Sequence, residues 1–412
     1  MRLNFYKKTI NKLVYYSENT TLHGLKYAAD KKRHPVVRLF WAGTFALNIY
    51  AMITIFQAAY NTYNENAISF VTETTYLNWN TSFPAITLCE ISATEIQWDD
   101  YSEDAAAVEQ FISDIIFFTG SCYSCSSLCP SCEKIDLKAT VEKLRKKCPQ
   151  LMMSCMWNNE AFDCCKKFLP LETEYGVCYS LNSLHTNKTP ESEMDLMSNR
   201  KTGPGQLMVK AVEDIRLYFH APEDVPFINS DPDQRKDVML GEAYNISINV
   251  IEIENDENVK YLPVEKRACR FPWEKPDELI VHKYYSYSTC VVQCHADNHI
   301  DLCNCTHHLM PVFNKGKYCD IEGLQCLTDN FETVNRLHAK GFDKSGLVCD
   351  CLPSCVEPEY KVVSDTKGVK TSHSEIYIKM QSLPTSRFKR IVVRTQLDLV
   401  GKLLRSTVEN SM

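Results

Sequence analysis

The residues whose spacing most restricts the chemistry of this chain are nine cysteines between Cys290 and Cys355. They occur in the runs YSTCVVQC, LCNC, YCDIEGLQC and CDCLPSC. Thiols spaced this closely either form disulfides or bind a metal ion. Four N-x-S/T sequons, which mark secreted or luminal chains, follow the apolar segment 39–60, at Asn80, Asn187, Asn245 and Asn304. Sequons that follow a membrane segment indicate an oxidising compartment, so this pattern favours disulfides in an extracellular domain.

A second cysteine group precedes the first, with the spacing Cys122-x2-Cys125-x3-Cys129-x2-Cys132, and Cys148 follows it. In a cytosolic protein, two C-x2-C pairs this close would indicate a zinc site. Outside the cell, disulfides are the favoured interpretation, and zinc remains the alternative for this group. The prediction for the whole chain is therefore no bound metal and no cofactor.

Enzyme motifs are missing from the sequence, which has no GxSxG, no HExxH and no phosphate-binding glycine-rich loop. Cysteine and histidine are neighbours at Cys294–His295, and Cys305 lies close to His307 and His308. A catalytic cysteine needs a free thiolate, which a cysteine in a disulfide does not supply. We therefore predict that the chain has no catalytic residues and is not an enzyme.

One segment, residues 39–60, is uncharged and apolar enough to cross a membrane. Its twenty-two residues would make a helix of about 33 Å, against a hydrocarbon core of about 30 Å. Residues 1–38 carry nine Lys or Arg and two acidic residues, which by the positive-inside rule places the N-terminus in the cytoplasm. A cleaved signal peptide, the alternative, would have a shorter apolar core closer to Met1.

Beyond the apolar segment, the hydrophobic pattern predicts strands and helices together. Alternating apolar residues and proline stops predict strands at 82–90, 216–226 and 241–255, and a last pair of strands at 374–384 and 387–393. Helical spacing predicts helices at 136–147 and around 290–299, where Cys290 and Cys294 lie one turn apart. The polar segment 186–204 is predicted to be a loop.

Several motifs, in order along the chain, resemble those of the degenerin/epithelial sodium channel family, and within it the insect pickpocket subunits. ENTTLHGLKYAAD resembles the family's cytoplasmic gating motif, here His23 and Gly24. FPAITLC (83–89) resembles the segment after the first membrane helix, and GVCYSLN (176–182) is similar to another family motif, with Leu181 in place of an aromatic residue. The remaining similar segments are LPVEKRACRFPWE (262–274), the cysteine runs, and LPTSRFKRIVVRTQLDL (383–399).

The resemblance implies a membrane-anchored α+β fold with a β-rich palm core and helical, disulfide-rich thumb and finger regions. The chain would have one transmembrane helix where the family has two. The implied domains are a cytoplasmic N-terminus (1–38), transmembrane helix 1 (39–60), an extracellular cysteine-rich domain (61–400) with its finger at about 91–175 and thumb at about 269–355, and a tail (401–412).

The family's disulfide pattern, carried over residue by residue, implies Cys89–Cys178 and a bond from Cys155 to Cys164 or Cys165. In the thumb it implies the pairs Cys269–Cys355, Cys290–Cys351, Cys294–Cys349, Cys303–Cys326 and Cys305–Cys319. The cysteines left over are even in number, which favours three more bonds whose pairing stays open. They are Cys122, Cys125, Cys129, Cys132, Cys148 and one of Cys164 and Cys165.

Two departures from the family pattern concern the pore and the palm. After Leu399 the chain continues as VGKLLRSTVENSM, where the family has its second membrane helix and selectivity constriction. We interpret this tail as a splice form or incomplete gene model, and predict no selectivity-filter residue in this chain. The stretch between Gly205 and Pro226 also looks shorter than the family's pair of strands at that place.

The function that the resemblance implies is a subunit of an amiloride-sensitive, voltage-independent sodium channel in the plasma membrane. Its partners would be sodium ions, the lipid bilayer and other family subunits in a homomeric or heteromeric trimer, with no nucleic acid. One alternative is a truncated, non-conducting member that assembles with full-length subunits and modulates them. Another is a single-pass, cysteine-rich receptor or adhesion module, against which the cytoplasmic gating motif argues.

Overall fold

The computed structural model describes most of the chain between Lys12 and Val392. The described residues are 12, 15–17, 19–20, 24–65, 68–74, 79–92, 105–126, 136–311, 317–338, 346–356, 358–369 and 372–392. His23, Cys129, Cys132 and the tail 401–412 lie outside them. The chain divides into two compact units, one of residues 1–71, 256–267 and 390–412 and one of residues 72–255 and 268–389.

The described residues form α-helices and β-strands in mixed order. The α-helices with defined bounds are α1 (Leu25–Ala29), α2 (Pro35–Glu65), α3 (Ala105–Ile116), α4 (Leu137–Leu144), α5 (Cys148–Leu151), α6 (Cys164–Lys167), α7 (Val264–Arg267), α8 (Tyr287–Cys303), α9 (Ile321–Asp329) and α10 (Phe331–Asn335). The strands are β1 (Ile68–Glu73), β2 (Thr81–Ser82), β3 (Ala85–Glu90), β4 (Met152–Trp157), β5 (Glu160–Phe162), β6 (Leu169–Thr173), β7 (Gly176–Leu181), β8 (Met197–Ser198), β9 (Gln206–Ala211), β10 (Ile215–His220), β11 (Arg235–Val238), β12 (Ala243–Ile251), β13 (Ile253–Asn255), β14 (Glu359–Lys367), β15 (Ser374–Met380) and β16 (Arg387–Val392). The mixed helix and strand content predicted from the sequence is confirmed.

Two sheets in the second unit bury a common core. The five-stranded sheet is antiparallel in the order β11-β10-β3-β7-β6. The six-stranded sheet has the order β14-β12-β15-β9-β4-β5, in which β12 and β15 are parallel neighbours. Fully buried aliphatic and aromatic side chains from both sheets form this core, among them Ile86, Leu88, Leu217, Phe219, Leu207, Val209, Ile246, Ile248, Ile376 and Ile378.

The burial pattern explains why these segments are strands. In β15, Ile376, Ile378 and Met380 are buried, while the charged Glu375 and Lys379 alternate with them and face outward. All six residues of β3 are buried, as expected for a strand in the middle of its sheet with both faces covered. Burying the apolar faces of the two sheets supplies most of the driving force for this part of the fold.

A smaller helical core forms in the same unit. It combines apolar residues of α3 and α4, residues of α9 such as Leu324 and Leu327, and the cysteines Cys305 and Cys319. The Asp136 side chain caps α4 by accepting a hydrogen bond from the Ala139 backbone N–H. These helices therefore depend on tertiary packing as well as on local capping.

Two local expectations differ from the structure. The stretch between Gly205 and Pro226 accommodates two strands, β9 and β10, because they lie in different sheets and need no hairpin between them. The last two strands form as predicted, but β15 pairs with β12 and β9. Parallel pairing with β12 depends on contacts far apart in sequence, which local patterns do not encode.

Candidate functional site

Helix α2 is long and apolar enough to cross a membrane. The qualifying segment, Pro35–Asn61, has 27 residues with a mean hydropathy of 1.6, and it includes the predicted segment 39–60. Large apolar side chains point outward along it: Leu39, Leu47 and Tyr50 are 77%, 69% and 68% exposed. A continuous exposed apolar surface of this kind is typical of a helix that meets lipid or another helix. The amide of Asn48 donates to the Thr44 carbonyl at 2.9 Å, so its own helix satisfies it.

Gly24 of the predicted gating motif begins the short helix α1, which folds back on the start of α2. Gly24 is buried with φ of +88°, and a Cβ at this position would lie 3.0 Å from Cε3 of Trp41. The rings of Tyr27 and Trp41 lie 5.0 Å apart, and Nε of Arg38 donates to the Ala28 carbonyl at 3.1 Å. The fold therefore requires glycine here, both for its backbone conformation and for close packing.

The disulfide ladder consists of five bonds around helix α8. Cys290 is joined to Cys351 and Cys294 to Cys349, with Cα–Cα distances of 5.8 and 5.9 Å. The other three bonds are Cys269–Cys355, Cys303–Cys326 and Cys305–Cys319. These are the pairs that the resemblance implies. Because Cys290 and Cys294 are one helical turn apart, successive bonds attach the same face of α8 to one returning segment.

Helix α8 is positioned by its ends as well as by these bonds. Ser286 caps it, accepting from the Thr289 backbone N–H at 3.2 Å, while the Ser286 N–H donates to Thr289 Oγ1 at 2.8 Å. Asn304 ends it in the left-handed conformation, with φ of 59°. The helix therefore runs further at both ends than the predicted segment around 290–299.

The remaining cysteines of the described residues also pair. Cys89 on β3 is joined to Cys178 on β7, and Cys155 is joined to Cys164. The leftover group contributes two further bonds, Cys148–Cys165 and Cys122–Cys125. A cysteine in a disulfide is not available as a zinc thiolate ligand, so the structure departs from the zinc alternative at Cys122 and Cys125.

The four predicted glycosylation sites are all exposed in the structure. Asn80 precedes β2, Asn187 lies in the loop after β7, and Asn245 is on the outward face of β12. Asn304 is the residue that ends α8, between Cys303 and Cys305. Their side chains are therefore accessible in the folded unit.

A charged cluster that the sequence pattern did not single out surrounds Arg387, at the start of β16. Arg387 bonds Glu73 at 2.8 Å, pairs with Glu254 and lies 4.3 Å from the centre of the Trp79 ring. Arg387 belongs to the segment 383–399, which resembles the family sequence before its second membrane helix. The arginine therefore connects the last strand to the end of β1.

A cavity of about 450 Å³ lies beside the first turn of α8. Asp224, Phe227, Tyr287 and Ser288 are among its lining residues. The carboxylate of Asp224 accepts a hydrogen bond from the Ser288 hydroxyl at 2.8 Å, and burial raises the pKa of Asp224 above its ordinary value. Asp224 thus helps to hold the start of the helix.

A buried group of histidines was also missed. Glu174, after β6, lies against His295 and His299 of α8, and His307 and His308 follow in the next loop. The i, i+4 spacing of His295 and His299 placed both on one helical face, which is the signal that could have found them. The sequence alone does not reveal that Glu174, more than a hundred residues away, meets them.

Comparison with known proteins assigns the chain to a family. The family model described as "Amiloride-sensitive sodium channel" matches residues 16–403. The chain belongs to the amiloride-sensitive sodium channel family, whose members are ion channels and not enzymes. The resemblance to the degenerin/epithelial sodium channel family and its insect pickpocket subunits is thereby confirmed.

Named relatives fall within the same family. "Sodium channel protein Nach" of Drosophila ananassae is 22% identical over 436 residues, covering 94% of this chain and 81% of its own length. "Pickpocket protein 11" of Drosophila melanogaster is 22% identical over 277 residues, 64% of this chain and 48% of its own. "Epithelial sodium channel subunit beta" of Bos taurus is 22% identical over 305 residues, 71% and 44% respectively. The chain thus spans about half of pickpocket protein 11.

Proposed function

We propose that this chain is a subunit of an amiloride-sensitive, voltage-independent channel that passes sodium ions across the plasma membrane. The observation that carries the proposal is the family match over residues 16–403, which runs from before α2 to beyond β16. Relatives named as sodium channel proteins and as an epithelial sodium channel subunit support sodium as the ion. Transport would be passive, with sodium ions moving down their electrochemical gradient.

The proposed topology has the N-terminus in the cytoplasm and α2 as the first membrane helix. The basic residues before α2 support this orientation through the positive-inside rule. The strands of the two sheets that lie outside residues 91–175 would form the palm, and residues of about 91–175 the finger. Residues of about 269–355, with α8 and the disulfide ladder, would form the thumb. This second unit would face the oxidising exterior, where its disulfides persist and its sequons are modified.

The proposed gating element is the sequence motif His23 and Gly24, of which the structure describes Gly24. Helix α1 packs on α2 through Tyr27, Trp41 and Arg38, so a movement of α2 would be coupled to the Gly24 turn. Gly24, with positive φ, begins α1 and packs closely on Trp41 because it has no Cβ. The partners we propose are other family subunits, in a trimer.

The function is tested by co-expressing the chain with a conducting pickpocket or Nach relative in cells that lack endogenous family members. We expect the chain to co-purify with the relative and to change the amplitude of its amiloride-sensitive sodium current. The current should vary with voltage only as the driving force does.

The matched control is a chain with Leu47→Asp and Ile53→Asp, which places two charges on the exposed apolar face of α2. Each acidic residue at the centre of a membrane helix costs about 2.5–3.5 kcal/mol of insertion free energy, so this variant should not insert, and should leave the current unchanged. A wild-type chain that reaches the cell surface but neither co-purifies with the relative nor alters its current would contradict the proposal.

A further inference from the structure

A basic patch lies on the second unit around helices α4, α5 and α6. Its exposed members are Lys143, Lys147 and Lys166, and we call these three residues the lysine face. They belong to the runs KLRKKC and CCKK, each of which adjoins a cysteine. The chain carries a net charge of −7 and residues 1–38 contribute +7, so the remaining residues total −14. A concentration of positive charge in this acidic part of the chain is therefore a distinct feature.

The disulfide Cys148–Cys165 brings the two basic runs together. The Cα atoms of the two cysteines are 5.7 Å apart. Lys147 directly precedes Cys148 and Lys166 directly follows Cys165. Because successive Cα atoms are about 3.8 Å apart, the Cα atoms of the two lysines lie at most about 13 Å from each other. A covalent bond thus holds lysines from two separate parts of the chain close together.

The ammonium groups of the lysine face are not used by the fold. In the part of the chain that the structure describes, no carboxylate forms an ion pair with them. Glu213 pairs with the half-buried Lys146 instead. Asp163 caps α6, accepting from the backbone N–H groups of residues 165 and 166 at 3.0 and 3.4 Å. Glu142 is the exposed carboxylate that precedes the lysine face on α4.

Helix stability explains only part of this arrangement. Lys143 and Lys166 lie in the last turns of α4 and α6, where the helix dipole favours a positive charge. Lys147 is the N-cap of α5, at the end of a helix where the dipole disfavours a positive charge. The position of Lys147 is therefore not explained by folding, which points to a role at the surface.

The lysine face adjoins a cavity of about 260 Å³, since Lys147 belongs to both. Four basic and two acidic side chains line the cavity, and the buried Glu90 and Glu213 bring its charge close to balance. Val177, Tyr179 and Met310 are among its other lining residues. A nearly neutral cavity with apolar walls and a few polar groups suits the ring of a sugar, whose C–H faces are apolar and whose hydroxyls are polar.

We propose that the lysine face binds a sulfated polysaccharide of the cell surface, of the heparan sulfate type, with the neighbouring cavity receiving a sugar ring of the same chain. A single exposed ion pair contributes little, so a small anion would bind weakly here. A linear chain with repeated sulfates contacts the three ammonium groups at once, and each contact raises the effective concentration of the next sulfate.

The inference rests on the orientation proposed above, which places the second unit outside the cell, where such polysaccharides occur. Binding of fluorescently labelled heparin to intact cells that display the full chain provides the test, after heparinase has removed the cells' own polysaccharides. The basic residues before α2 are inside intact cells and do not contribute. We expect saturable binding that weakens as the salt concentration rises, because salt screens exposed charges.

Two variants should shift heparin binding in opposite directions. The triple variant Lys143→Gln, Lys147→Gln, Lys166→Gln should raise the apparent Kd by about fivefold or more, because three exposed ion pairs are lost together. Glu142→Gln removes the neighbouring negative charge and should lower the apparent Kd by about 1.5- to 3-fold. If the triple variant does not reach the surface, Glu142→Gln still tests the proposal, and an unchanged Kd would overturn it.

The matched control is the triple variant Lys201→Gln, Lys260→Gln, Lys379→Gln, which removes the same charge at exposed lysines elsewhere. It should leave the Kd unchanged within about twofold. Equal losses in the two triple variants would overturn the proposal, and so would equal binding of poly-L-glutamate, which would assign the patch to acidic peptides. Antibody labelling of the second unit in intact cells is the separate check on orientation: absence of labelling would overturn the orientation and this proposal with it, whereas labelling without heparin binding would overturn this proposal alone.

Discussion

At Gly24 the backbone and the packing place independent demands on one residue. The positive φ favours glycine, and any Cβ at this position would lie 3.0 Å from the Trp41 side chain, which leaves no room for it unless the ring moves. For a residue with a Cβ, the left-handed conformation costs about 1–2 kcal/mol. The sequence resemblance suggested a functional glycine here, and the structure supplies a physical reason for it.

The first prediction is that Gly24→Ala changes the open probability of the co-expressed channel by roughly 5–30-fold, because a strain of about 1–2 kcal/mol opposes the folded-back α1. Single-channel recording measures this change. The matched control is Gly43→Ala on α2, where a Cβ has nothing within 4 Å and the glycine is in a regular helix. Equal effects of the two substitutions would show that the Gly24 turn has no special role.

Replacing Trp41 distinguishes the effect of the positive φ at Gly24 from the effect of the close contact with the Trp41 ring. In Gly24→Ala, Trp41→Leu, the steric conflict is relieved but the backbone strain is kept, so we expect partial recovery of open probability relative to Gly24→Ala alone. Full additivity of the two substitutions would argue against direct contact.

The sites that the sequence predicted are those of residue types with a distinctive chemistry. Cysteine spacing, sequons and the glycine of a motif are local signals, and the pairs of the disulfide ladder followed from the family pattern. The buried contact between Glu174 and His295 was not predictable, because Glu174 reaches His295 only through the packing of the β6–β7 turn against α8. A contact between polar residues that are distant in sequence does not produce a periodic pattern of residue types.

Helix α8 is the element whose position depends most on covalent bonds. The second prediction is that peptide mapping of the non-reduced protein finds Cys290 joined to Cys351 and Cys294 to Cys349. Removing the second bond with Cys294→Ser, Cys349→Ser should lower the free energy of unfolding by about 2 kcal/mol, because Cys290–Cys351 still closes most of the 55-residue loop.

Cys122→Ser, Cys125→Ser is the matched control for this prediction. That bond spans three residues, so its loss releases little chain entropy and should cost less stability. Thermal unfolding of both variants provides the comparison. Free thiols at Cys294 and Cys349 in the native protein, or a larger loss from the short bond, would contradict the role given to the ladder.

Whether a segment forms a helix or a strand was easier to predict than which strands pair with each other. Alternation in SEIYIKM predicts a strand, and Asp136 before an amphipathic segment predicts a helix start, because both depend on neighbours in sequence. Pairing of β15 with β12 and β9 joins segments more than a hundred residues apart. Residues 205–226 looked too short for the family's pair of strands for the same reason. Local patterns do not show that β9 and β10 belong to separate sheets.

At the scale of the whole molecule, the proposed function requires that the two units have different surroundings. Helix α2 exposes an apolar surface suited to lipid, while the second unit carries paired cysteines and exposed sequons suited to the cell exterior. Composition and charge alone indicated this division, because both signals are summed over many residues. The arrangement of two sheets around one core could be expected only through the family.

Glycosylation mapping in cells tests the proposed orientation, with the N-terminus in the cytoplasm and the cysteine-rich unit outside the cell. Sodium conduction, oxidised cysteines and a cytoplasmic gating motif all require this orientation. We predict that glycosidase treatment shifts the mobility of the chain, and that the shift disappears when Asn80, Asn187, Asn245 and Asn304 are all replaced by Gln. Asn304, between two disulfide cysteines, should contribute least, and Asn19 in the sequon before α2 should remain unmodified. A shift that persists without the four asparagines and vanishes on replacing Asn19 would reverse the topology and contradict the account.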